Sequence, residues 1–303
     1  MDDPVPAPIP TPWYLVHSAD TAVKVVRPLN AKRGVVYSLP HSGRYYPDSF
    51  VAQARQKGLA LRASEDAFVD EMVGLTPDLG VYGIVCRYAR AFCDVNRHAL
   101  ELDGRLIRGE LPKAALALSA RVKAGFGVIA RRLSADQDIY RDALDMAEVN
   151  RRLDLIYWPY HARLQGLLGE AAGHAGHEKH PVVLIDWHSM PSSALTVLGG
   201  AKPDIVLGNR HGESCGDGLV RKVRGVLEGA GLRVGLNRPF AGGYIVETYG
   251  RPQSETSGAT AGVEALQIEI NRAIYMNEAS LEPHDGLRRL TGVFATLTAV
   301  LAG

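Results

Sequence analysis

The sequence predicts a single α/β domain, three layers of α/β/α around a mostly parallel, mixed sheet. Short runs rich in Val, Ile and Leu recur between longer segments whose apolar residues step by three and four, the mark of strands buried on both faces and joined by crossover helices. Polar residues gather where those runs stop, which in an open α/β sheet is the edge that collects ligands. With 303 residues, 46% of them hydrophobic and 22% charged, the chain has ample apolar material for one large core.

Taken in order, residues 1–12 hold five prolines and few core formers and read as a loose arm, so the domain is placed at residues 13–303. GVVYSLP, from Gly34, is a buried strand that stops at Pro40 in the turn PHSGRYYP and leaves His41 at the strand end. Residues from Ser64 to about Thr76 carry Phe68, Val69, Met72, Val73 and Leu75 at near-helical spacing; Ser64 is read as the N-cap, with Glu65 and Asp66 in the first turn. A strand at Val81 to Val85 precedes RYARAFCDVNR. Two long helices are expected, at about 113 to 133 and about 139 to 172, and Tyr157, Trp158 and Tyr160 in the second read as packing residues. After the loop GHAGHEKHP come the strand VVLIDWHS, the strand DIVLGN, a helix from Glu213 to Gly229 and the strand LRVGLN. FAGGYIV reads as a loop with a strand or hairpin, ALQIEIN as the last strand, and about 283 to 302 as a C-terminal helix.

Composition excludes several classes of function. Lys and Arg number 34 against 33 Asp and Glu, a net charge of +1, which lacks the basic face that nucleic-acid binding needs. No apolar run approaches the roughly 18 to 20 residues that span a bilayer, and Asp2 and Asp3 are the reverse of a secretion signal, so a cytoplasmic location is expected. Cys86, Cys93 and Cys215 show no CxxC spacing and read as reduced, buried thiols. GxGxxG after the first strand and GxxxxGK[ST] are both missing, which removes dinucleotide and P-loop chemistry.

What remains is a set of residue types. His41 in PHSG, Glu65 and Asp66, His188 in DWHS and Glu269 inside the apolar LQIEI suit a catalytic zinc held by two imidazoles and one carboxylate, with a further carboxylate as base. Each histidine taken alone reads as an ordinary loop or core residue, and Asp186 either orients His188 or caps a turn. Glu269 is the sharpest signal, because a charge within an apolar strand is costly unless paired or functional; its alternative is an ion pair with an arginine. His174, His177 and His180 have metal-like spacing but lie in a loop with no frame. Arg90, Arg97 and Arg251 leave strands or glycine turns, where guanidiniums can grip carboxylates or polarise a carbonyl, and Gly242 and Gly243 before Tyr244 let backbone approach such a ligand.

PHSGRYYP at 40–47, SEDAFVDEM at 64–72, RAFCDVNR at 90–97, LIDWHSMP at 184–191, DIVLGNRHG at 204–212, FAGGYIVETYGRP at 240–252 and LQIEINRAIYM at 266–276 together resemble the N-formylglutamate amidohydrolases. The resemblance covers about residues 30 to 280. It implies a zinc-carboxypeptidase-like α/β/α fold and a hydrolase, dependent on one divalent zinc ion, that splits N-formyl-L-glutamate into formate and L-glutamate in histidine breakdown. It also implies His41, Asp66 and His188 as metal ligands, Glu269 as catalytic carboxylate and Asn96 and Arg97 as residues that grip the substrate, with Arg90 nearby; beside it, Arg90 is read as polarising the scissile carbonyl and Tyr244 and Arg251 as further substrate-binding residues. The zinc carboxypeptidases, more distant relatives, are expected to carry Glu three residues after the first His; here Arg44 stands there, so the acid comes from elsewhere, Asp66 by position in its block or else Glu65. A different N-acyl amino acid or short peptide as substrate, and a non-catalytic carboxylate binder on the same fold, stay open beside this reading. The expected partner is a small carboxylate-bearing molecule, with neither nucleic acid nor membrane involved.

Overall fold

The computed structural model describes residues 22–115, 119–134, 136–174, 180–252 and 262–303. The Pro-rich arm at residues 1–12 and most of the His-bearing loop, His177 included, lie outside the described residues. A seven-stranded sheet is built from β1 (Val23–Val26), β2 (Val35–Leu39), β3 (Tyr82–Cys86), β4 (Val182–Met190), β5 (Ile205–Gly208), β6 (Val234–Leu236) and β7 (Val263–Asn271), in the order β1-β3-β2-β4-β7-β5-β6. The helices used below are α1 (Val69–Val73), α2 (Ala120–Ala124), α3 (Met146–Arg152), α4 (Trp158–His174), α5 (Asp217–Gly229), α6 (Tyr244–Tyr249) and α7 (Asp285–Ala302). Among the described residues no helix is long and apolar enough to cross a membrane.

The described residues fall into two compact units, and residues 25–39, 66–84 and 163–303 make up the one that carries the body of the sheet. β2 and β7 both pair parallel to β4, while β5 runs antiparallel to β7, so the sheet is mixed as expected. Because side chains alternate along a strand, β2 and β4 divide into two faces. Tyr37 and Trp187 point to an apolar face covered by α7: their rings meet edge to face at 5.5 Å, Trp187 lies 4.8 Å from Phe294, and the Tyr37 hydroxyl bonds Thr298 Oγ1 at 2.9 Å. The α7 stripe of Leu290, Phe294, Leu297, Thr298 and Leu301 is buried at helical spacing. Burying aromatics of this size stabilises the fold by about 2 to 3 kcal/mol each. On the other face stand Ser38, Asp186 and His188, all buried and all polar.

The second unit, residues 22–24, 40–65 and 85–162, is organised around Arg152. This fully buried guanidinium lies 4.1 Å above the Phe92 ring and bonds Glu148 at 2.7 Å and the Phe92 carbonyl at 3.1 Å. Phe50, Phe92 and Tyr140 pack about it.

Several expected elements come out differently. The helix expected from Ser64 is only α1, because Phe68 enters it in the left-handed conformation at φ 64° and Gly74 leaves it at φ 58°; Ser64 is not its cap, and Glu65 and Asp66 lie before it rather than in its first turn. In the segment from 113 to 133 the only helix among the described residues is the five-residue α2, stopped by Gly125 at φ 93°, and a short strand begins at Arg132. Gly127 is then pressed against the Glu101 carbonyl so closely that a Cβ would sit 2.2 Å from it. The second long helix exists, but starts at Met146, where Asp145 accepts the Glu148 amide at 2.7 Å, and passes through a π-helical turn at Leu153–Tyr157 into α4. The helix expected from Glu213 starts at Asp217, after a turn at 210–212 in which Arg210 and His211 have positive φ. FAGGYIV forms neither strand nor hairpin: from Tyr244 it winds into the short helix α6.

Candidate metal centre

The polar face of the sheet is a register of functional groups. Ser38 on β2 and Gln267 on β7 stand opposite Asp186 on β4, and Glu269 stands opposite His188. Within this face every bond has direction. Ser38 Oγ donates to Asp186 Oδ1 at 2.6 Å, and Asp186 Oδ2 holds His188 Nε2 at 2.8 Å. Asp186 therefore orients the imidazole. His188 Nδ1 lies 3.1 Å from Asp66 Oδ2, while the other oxygen of Asp66 is taken by Ser189 Oγ at 3.0 Å and Arg272 Nη2 at 3.1 Å. The turn that aims Asp66 is tied down next door, where the Tyr275 hydroxyl donates to the Ala67 carbonyl at 3.0 Å. Glu269, 7% exposed, accepts the Gln267 amide on Oε1 at 2.8 Å. Burial alone would push the His188 pKa down; the Asp186 charge and hydrogen bond, the bond from Asp66 and the Glu269 charge outweigh it and hold the imidazolium well above its usual value.

His41 is positioned by the other set of residues. Gly43 fits because its backbone runs against the 87–88 segment: a Cβ there would lie 2.3 Å from the Tyr88 carbonyl. Tyr45 N donates to Arg87 O at 3.0 Å and Ala89 N to Tyr45 O at 3.1 Å, which pins the PHSGRYYP turn beside RAFCDVNR. His41 Nε2 then meets Asp94 Oδ1 at 2.7 Å. The same carboxylate accepts Asn96 N at 2.9 Å and Arg90 Nη2 at 2.8 Å, with Arg97 Nε at 3.9 Å. Burial would raise the Asp94 carboxyl, but the Arg90, His41 and Arg97 charges hold it well below the usual carboxylate range. Arg97 donates to the Phe126 and Asn96 carbonyls, and burial lowers its pKa.

His41, Asp66 and His188 are all buried, and one donor atom of each lies within 4.8 Å of the other two, a group that could hold a metal ion. The donor chemistry fits a zinc-type cation. Each imidazole has Nε2 engaged by a buried carboxylate, the usual second-sphere arrangement for a metal-bound histidine. Ligands about 2.0 to 2.2 Å from a tetrahedral ion stand about 3.3 to 3.6 Å apart, a few tenths of an ångström more than the 3.1 Å between His188 Nδ1 and Asp66 Oδ2. Three protein ligands leave a fourth position open. Glu65 is occupied elsewhere: Arg62 grips both its oxygens at 2.9 Å and Tyr46 donates to it at 2.6 Å.

The remaining expected site residues are placed as follows. Arg90, Asn96 and Arg97 surround Asp94; Tyr244 opens α6, half-buried; Arg251 is exposed and donates to the Glu247 and Gly250 carbonyls at 2.9 and 2.8 Å, at the end of α6. Sequence reasoning missed Asp94, Ser189, Arg272, Ser38 and Gln267. Their one sequence signal was polarity inside the blocks GVVYSLP, RAFCDVNR, DWHS and LQIEINR.

Comparison with known proteins agrees with the geometry. The sequence profile of the N-formylglutamate amidohydrolase family matches residues 33–276. A crystal structure of N-formylglutamate amidohydrolase from Ralstonia eutropha JMP134 superimposes with a TM-score of 0.83 at 30% identity, over 93% of this chain and 97% of that one. The crystal structure of gene product Atu2144 from Agrobacterium tumefaciens shares the fold with a TM-score of 0.57 at 18% identity, over 92% of each chain. No curated protein sequence matches.

Proposed function

The chain belongs to the N-formylglutamate amidohydrolase family, and on that premise we propose that it hydrolyses the formyl amide of N-formyl-L-glutamate to formate and L-glutamate, with one zinc ion held by His41, Asp66 and His188. The observation that carries the reading is the buried His-Asp-His group together with Glu269, one strand over and in register with His188. When bound, the cation would polarise the formyl carbonyl and lower the pKa of water at its open position. Glu269 takes the proton of the attacking water on a carboxylate oxygen and returns it to the departing amine nitrogen as the C–N bond breaks. Its Oε1 is held by the Gln267 amide. Asp186 and Asp94 keep His188 and His41 in single orientations, so the ligand set is organised before the ion arrives. Arg90, placed by the bond from its Nη2 to Asp94, supports the charge growing on the carbonyl oxygen. Asn96 and Arg97, with Tyr244 and Arg251, bind the glutamate carboxylates.

The test is formate release from N-formyl-L-glutamate by the purified protein, with and without a chelator, across a panel of other N-acyl amino acids. Turnover on N-formylglutamate above all others, lost with the chelator and restored by zinc, is expected. Glu269→Gln is expected to abolish turnover while zinc stays bound; wild-type activity in that variant would remove Glu269 from the mechanism.

A further inference from the structure

Gln267 is a buried polar side chain in the middle of β7, 3% exposed, where strand packing alone would favour an apolar residue. Both ends of its amide are committed. Its Oε1 accepts the Gly243 N–H at 2.7 Å, so the group facing Glu269 Oε1 at 2.8 Å is the NH2 and not the oxygen. Two residues apart on one strand, Gln267 and Glu269 share a face, and the hydrogen bond between them runs along the strand. Gly243 sits in the turn leading into α6, and that turn is itself pressed onto β5: a Cβ on Gly208 would lie 2.8 Å from the Ala241 carbonyl carbon, and Gly242 has φ 132° with its own Cβ position 2.6 Å from Val246. The backbone at 241–243 thus has one seat, and Gln267 relays that seat to the carboxylate.

We propose that Gln267 is a positioning residue that reads the place of the 241–243 turn through its carbonyl oxygen and fixes the Glu269 carboxylate through its NH2. The inference rests on Glu269 being the base. With Oε1 held by the Gln267 NH2, the carboxylate plane is fixed relative to β7. This assigns a role to the second residue of LQIEI, and to the glycine pair of FAGGYIV a function beyond giving a ligand room to approach.

Two variants separate the two ends of the amide. Gln267→Glu, assayed at alkaline pH where both carboxyl groups are ionised, still accepts the Gly243 N–H but cannot donate to Glu269; Gln267→Met keeps the length and removes both bonds. Each is assayed for kcat and KM in formate release, with melting temperature measured in parallel. Both are expected to lose about ten- to a hundredfold in kcat, the range of one hydrogen bond to a charged group, with KM within about threefold of wild type. A merely structural glutamine would instead lower melting temperature and leave the kcat of the folded fraction intact. Wild-type kcat in Gln267→Glu, or in Gln267→Met should the first variant not fold, overturns the proposal. Glu269→Gln run alongside distinguishes the two failures: if it is inactive while the Gln267 variants are fully active, only the positioning role falls; if it is active, the assignment of the base falls.

Discussion

Replacing Asp94 by Asn alters one atom at the point where His41 and the arginines meet. The carboxylate accepts from His41 Nε2 at 2.7 Å, Asn96 N at 2.9 Å and Arg90 Nη2 at 2.8 Å, and Arg97 Nε stands at 3.9 Å. An amide keeps one oxygen for His41 and Asn96 but turns its NH2 toward Arg90, donor against donor, and leaves two guanidiniums without the neutralising charge. Breaking a buried ion pair in this way costs about 3 to 5 kcal/mol. Arg90 is 22% exposed and recovers part of that from water, so a loss of about 3 kcal/mol is expected, a fall in melting temperature of roughly 6 to 12 °C for a chain of this size. The neutral amide also makes His41 a poorer donor and holds it less firmly, which should weaken zinc binding about ten- to a hundredfold. Competition against a chromophoric chelator measures the affinity, and melting curves with and without zinc measure how much of the stability passes through the metal. A variant that binds zinc within about threefold of wild type would refute the claim that Asp94 organises a metal ligand.

Two further outcomes follow from the same structure. Burial raises the thiols of Cys86 and Cys215 to about 12 and that of Cys93 well above its usual value, so alkylation at mildly alkaline pH should be negligible in the native protein and reach all three thiols in denaturant; rapid labelling of the folded chain by mass spectrometry would contradict this. Asp103, which burial would raise, is instead lowered below 3.8 by hydrogen bonds and charge from Arg105 and Arg131. A depressed folded pKa gives stability that is present above the unfolded value and lost as pH falls through the folded one. The melting temperature of Asp103→Asn should therefore lie below wild type near neutral pH and converge on it as pH falls through the depressed folded value, and a gap independent of pH would refute the reading.

How far the fold could be read before any coordinates existed depended on the element. VVLIDWHS and LQIEI were legible because strands buried on both faces are continuous apolar runs, and the polar residues within them stood out against that background. Short elements were not. Residues 113–133 have helical spacing, yet Gly125 stops the helix at φ 93° and Gly127 serves a close approach to Glu101 that no periodicity records, and FAGGYIV became a helix because its glycines let the backbone settle against β5 and Gln267. The polar partners were the least visible of all: Arg272 bonds Asp66 across 206 positions, and Asp94 reaches His41 across 53.

The amino-acid order by itself determined the strands, their buried faces and the residue types able to bind a metal, since burial periodicity and side-chain chemistry are local properties. Only the tertiary structure decided which carboxylate would serve which imidazole. Glu65 and Asp66 are neighbours of equal chemistry, and what separates them is that Arg62 and Tyr46 close around one while the other turns toward His188. A hydrogen bond depends on distances of a few tenths of an ångström between atoms far apart along the chain, and those distances exist only once the chain has packed.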